Sequence, residues 1–149
     1  MRAIPLLFAV VAVVVQAFPA VVVVSRRFEP LAPSRSFRLL LAATYLAIPN
    51  SWEVDANLTN AQWHLALVAL LCLLAAPGNP AWKLVDVVAT ILSGLTGPFV
   101  IVLAVVGVWW LWKGPRTWWR IGLWGLTVVL ALVQGVELLA GPRPPRSWA

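Results

Sequence analysis

The chain has 149 residues, of which 62% are hydrophobic and 11% charged. A soluble domain carries about 25% charged residues, so too little polar surface is present to cover a water-soluble globule, and the continuous apolar runs argue against an outer-membrane barrel. The net charge of +6 falls in short clusters between apolar runs, where it directs topology and meets lipid head groups rather than nucleic acid.

The expected fold is therefore all-α, a polytopic membrane helix bundle in the inner (plasma) membrane. Six apolar segments are predicted, at about 4–24, 37–49, 61–76, 81–96, 98–112 and 121–140, forming one transmembrane domain over 1–141 ahead of a Pro/Arg tail at 142–149. Only the first and last approach the roughly 20 residues of a standard span, and the middle four suit helices packed inside a bundle or beside thinned lipid. The first segment also reads loosely as a signal peptide, with Arg2, an apolar stretch and small residues at Val15 and Ala17. Its apolar character continues to Val24, which favours a span.

Punctuation supports these boundaries. Asn79-Pro80 places an N-cap before a proline at the first helical position. Gly97-Pro98 closes one helix and opens the next. Thr59-Asn60-Ala61-Gln62 matches a capping box before an apolar run. Arg26, Arg27, Arg35 and Arg38 make the first loop cytoplasmic. A break at Gly97-Pro98 then returns Lys113, Arg116 and Arg120 to the same side, as the positive-inside rule prefers. Tryptophans crowd the segment ends, as in an interfacial aromatic belt. Cys72 is a lone apolar-segment thiol, so an intrachain disulfide is excluded; no zinc or haem spacing occurs, and no cofactor is expected.

The polar run at 49–64 gathers two of the five acids, the only histidine and three asparagines between apolar segments. Polar groups at a membrane edge are functional candidates by default. Glu53, Asn57, Asn60 and His64 would form one stripe on a continuous helix, whereas the capping box favours a fresh helix from Asn60. Either way they form an extracytoplasmic ledge, with Asp55 beside them and Trp52 and Trp63 as walls for a sugar or lipid. The competing structural reading has the asparagines cap helices, Glu53 and Asp55 solvate a loop, and the tryptophans join the belt. Gln134 and Glu137 share one face of the last segment, either joining that ledge or hydrogen-bonding between helices. Asp86 and Thr90, one turn apart, read as structural. Asn57-Leu58-Thr59 matches a glycosylation acceptor by coincidence in a chain of bacterial-looking composition. Nucleotide-binding and soluble-hydrolase motifs are absent.

Tyr45-Leu-Ala-Ile-Pro49, the polar loop, Asn60-Ala-Gln-Trp63-His64-Leu-Ala-Leu, and Ile91-Leu-Ser93-Gly94-Leu95-Thr96-Gly97-Pro98-Phe99 resemble uncharacterised bacterial polytopic proteins. Those are in turn similar to GT-C-type membrane glycosyltransferases, which use polyprenyl-phosphate-linked sugars. The resemblance covers about 45–112. It implies an outward-facing site for lipid-linked sugar, with Glu53, Asp55, Asn57, Asn60 and His64 as binding candidates. The family's acidic base in the first outer loop has no counterpart, and its members have more spans, so the chain reads as a fragment or relative. Two rivals stand beside it: a scaffold or accessory subunit meeting other membrane subunits, and a small transporter using Glu53, His64 and Glu137. Transport would be favoured by internal repeats, and none is evident.

Overall fold

The computed structural model describes residues 3–48 and 61–141. Among them the protein is all-helical, with six α-helices: α1 Ala3–Val24, α2 Arg35–Ala47, α3 Ala61–Leu74, α4 Pro80–Thr96, α5 Phe99–Lys113 and α6 Trp118–Leu139. A short 3-10 turn, Arg26–Phe28, follows α1. Each helix coincides with one apolar segment of the sequence to within a few residues. Two of the helices, Leu6–Val24 and Trp118–Leu139, are long and apolar enough to cross a bilayer by themselves. At 1.5 Å per residue these 22-residue helices are about 33 Å long, while α2 to α5 run about 20–26 Å.

Local chemistry explains the boundaries. The Ser34 hydroxyl accepts from the Phe37 N–H, so α2 starts two residues ahead of its apolar run. Asn79 accepts from the Trp82 N–H at 3.0 Å with Pro80 at the first helical position, as its sequence predicts. Thr117 caps α6 through the Arg120 N–H, which draws Trp118, Trp119 and Arg120 into the helix. Between α4 and α5, Gly97 and Pro98 interrupt the backbone ladder, so 80–113 is two helices rather than one.

The helices alternate in direction, and α3 is central, packing on α1, α4, α5 and α6. α2 lies against α1, while α6 packs on α5 and α4. One core joins Val22 of α1, Val68, Leu71 and Cys72 of α3, and Ala89 of α4. A second joins Ala69 and Leu73 of α3, Leu103 of α5 and Leu123 of α6. Two glycines permit close approach. A Cβ on Gly94 would lie 2.7 Å from a Leu130 methyl, and one on Gly107 would overlap the Trp124 ring. Small residues at such crossings let helix backbones approach closely.

The exposure pattern departs from that of a soluble domain. Leu, Val and Trp side chains on every helix are exposed, including Leu40, Leu84, Val105 and Leu132, whereas Arg27, Arg38, Asp86, Thr90, Ser93, Arg120 and Thr127 are buried.

Candidate functional site: a charged clamp at the basic end

The turns after α1, α3 and α5 gather at one end of the bundle. Eight of the eleven basic residues lie there: Arg26, Arg27, Arg35, Arg38, Lys83, Lys113, Arg116 and Arg120; the other three fall outside the described residues. At the centre of this end is Asp86, in the second turn of α4 and fully buried. An ionised carboxylate in such a place is costly unless paired and hydrogen-bonded. The structure supplies both. Arg27 Nη2 donates to Asp86 Oδ2 at 2.8 Å, and Trp119 Nε1 of α6 donates to the same oxygen at 3.3 Å. Asp86 therefore ties the α1 turn, α4 and α6 together.

The same arginine closes the end of α3. A helix C-terminus leaves carbonyls without partners and carries partial negative charge, which a cation stabilises. Arg27 Nε donates to the Ala76 carbonyl at 2.8 Å, and the Ala76 N–H returns a bond to the Arg27 carbonyl at 2.9 Å. Arg120 Nη2 reaches the neighbouring Ala75 carbonyl at 3.4 Å, and its Nη1 donates to Pro115 O at 3.2 Å. Two buried guanidinium groups from opposite sides of the bundle thus hold consecutive carbonyls after α3. Arg38, also buried, donates to the Ala32 carbonyl at 3.1 Å.

Aromatic faces complete the surroundings of these cations. Arg27 lies 4.9 Å from the Trp82 ring centroid, Lys83 5.3 Å from Trp119, Lys113 4.8 Å from Trp112, and Arg120 5.4 Å from Trp110. Cation–π attraction is strongest where the cation is desolvated, as Arg27 and Arg120 are. The tryptophans expected to form a belt are therefore also partners of the basic residues. Arg27, Arg38 and Arg120 differ from the expectation of free head-group contacts, because each is buried on backbone carbonyls.

No family model, no curated protein and no solved structure matches this chain. The site is accordingly described by its own geometry.

Of the residues singled out from sequence, Trp52, Glu53, Asp55, Asn57 and Asn60 lie outside the described residues. His64 is buried within α3, its Nδ1 2.7 Å from the Tyr45 hydroxyl of α2. That hydroxyl donates to the Gln16 carbonyl of α1 at 2.8 Å, so Nδ1–H of His64 donates to the phenol oxygen. His64 thus joins α1, α2 and α3. Trp63 is exposed and packs its ring on Phe99 of α5 at 4.3 Å. Glu137 is exposed on α6, away from the α1–α2–α3 junction that holds His64. Among the described residues no group of three His, Cys, Asp or Glu side chains is assembled that could hold a metal ion.

The clamp residues Arg27, Trp119 and Arg120 escape a reading by sequence. The available signal is Asp86 itself, the one acid between residues 56 and 136. A carboxylate inside an apolar helix requires a partner, and the arginines of the first loop are the nearest supply on the same side. Its backbone environment also matches the expected one-turn relation, since Thr90 Oγ1 donates to the Asp86 carbonyl at 2.8 Å.

Proposed function

We propose that this chain is an integral, multi-pass protein of the plasma membrane with its basic end in the cytoplasm. The observation that carries the reading is the outward apolar surface of the bundle: large apolar side chains are exposed on every helix, while the Arg27–Asp86 ion pair, Arg38 and Arg120 are buried within it. Two helices with the length to cross a bilayer unaided support it, as does the collection of eight basic residues at one end. Helices α2 to α5 are short for a bilayer of about 30 Å, a mismatch that tilting neighbours and local thinning accommodate.

Within the membrane, the role best supported is that of a binding or accessory element. The buried ionisable groups are engaged in fastening helices: Asp86 on Arg27 and Trp119, Arg120 on α3, His64 on Tyr45. The specific form of that role implied by the resemblance over 45–112 is handling of a lipid-linked sugar at the extracytoplasmic face. It is favoured by the exposed Trp63, whose ring packs on the half-buried Phe99, at the end opposite the basic cluster. Alkaline carbonate extraction of membranes from expressing cells tests the membrane assignment. The protein should remain in the pellet, and release into the supernatant would overturn the assignment.

A further inference from the structure

Helices α1 and α4 flank α3 and leave an open groove between them with α3 as its floor. The inner stretch is a cavity of about 310 Å³ lined by Val14 and Phe18 of α1, Val68 of α3, and Leu84, Val85 and Val88 of α4, among other apolar side chains. It presents no polar surface. A second cavity of about 420 Å³ shares Val15, Leu65 and Leu92 with the first and carries the groove on to Gln62 and Thr96. Among the described residues, polar side chains therefore line the groove only at the end away from the basic cluster.

We infer that this groove binds one hydrocarbon chain of an outer-leaflet phospholipid, with the glycerol ester region at Gln62 and Thr96. The inference rests on the membrane reading. Three properties of the groove select this occupant. Its length along α4, from Leu84 to Thr96, is 12 residue steps, about 18 Å at 1.5 Å each. One leaflet contributes about half of a 30 Å hydrocarbon core, so an acyl chain occupies most of the groove's length. A partner helix crossing the bilayer would need about 30 Å of track and would leave much of its length outside. The polarity gradient is that of a lipid, apolar for most of its length and hydrogen-bonding at one tip. Among the described residues the tip is uncharged: the Gln62 amide offers donors to ester carbonyls, and Thr96 donates its own proton to the Leu92 carbonyl at 2.7 Å, leaving its oxygen as an acceptor. Lys83 and Arg26, which would attract an inner-leaflet phosphate, do not line either cavity.

Native mass spectrometry of the full chain in mild detergent, titrated with dioleoyl phosphatidylethanolamine, tests the proposal. The parent protein should retain one lipid per chain. Val88→Trp, which adds an indole to the groove wall at a side chain that is already partly exposed, should lower that retention several-fold. Val105→Trp, on the outward face of α5, should leave it unchanged. Equal retention by both variants, or a dimer in place of the lipid adduct, would overturn the assignment of the groove, as would preference for a much longer polyisoprenoid. A diazirine on the lipid head group should cross-link within 61–66 or 92–97, and cross-linking at Arg26 or Lys83 would overturn the orientation. Carbonate extraction separates the two levels: a chain that stays in the membrane but retains no lipid defeats the groove and leaves the membrane reading standing.

Discussion

Asp86 and Arg27 lie 59 positions apart and meet in the interior at 2.8 Å. Burying such a pair carries a desolvation cost comparable to its attraction, so its net contribution is small, while removing one partner strands a charge. Asp86→Ala should therefore destabilise the bundle by about 3–5 kcal/mol, read as a lowered thermal midpoint in detergent. A double variant, Arg27→Met with Asp86→Leu, should recover most of that loss, because no charge is left unpaired. If the double variant proved as unstable as Asp86→Ala, the destabilisation would belong to the lost Ala76 and Trp119 contacts instead. The sequence marks Asp86 as an anomaly but not its partner. Four arginines precede α3 on the same side, and only three-dimensional packing brings Arg27 rather than Arg26 or Arg35 onto the carboxylate. His64 shows the converse. Its presence one turn inside an apolar run makes it a candidate for the outer ledge, and the sequence gives no sign that the ring is buried against the Tyr45 hydroxyl.

At the level of helices, local chemistry is a good guide. Asn79-Pro80 and Gly97-Pro98 mark real boundaries because a side-chain cap and a missing N–H act within a few residues. The starts of α2 and α6 are shifted ahead of their apolar runs by the Ser34 and Thr117 caps, which lie among arginines and read as loop until their hydroxyls are seen bonding the backbone. Interhelical spacing leaves almost no local trace. Gly94 and Gly107 look like ordinary glycines of apolar helices, but each faces a large side chain of α6 with no room for a Cβ. At Gly107 the approach also lets Trp124 Nε1 donate to the Ala104 carbonyl at 3.0 Å. Gly107→Leu should cost at least the ~1–3 kcal/mol typical of overpacking and separate α5 from α6. Gly122→Leu, on the exposed side of α6 where nothing lies within 4 Å, should be neutral by the same thermal assay. Equal losses at both positions would contradict a packing origin, because leucine raises helix propensity over glycine at either site.

For the molecule as a whole, the continuous apolar runs of the sequence already imply helices, and six helices are found among the described residues. The proposed orientation rests on charge, since the turns that carry Arg26, Arg35, Lys113 and Arg116 all emerge at one end while α4 and α5 reverse at the other. The proposed topology therefore puts the Pro98 turn outside and the Arg116 turn inside. Single cysteines at Pro98 and Arg116, each exposed in its turn, test this in a Cys72→Ser background with a membrane-impermeant maleimide. In intact cells Pro98→Cys should be modified and Arg116→Cys protected until the membrane is permeabilised. Modification of Arg116→Cys in intact cells, or of both positions alike, would contradict a multi-pass bundle with its basic end in the cytoplasm.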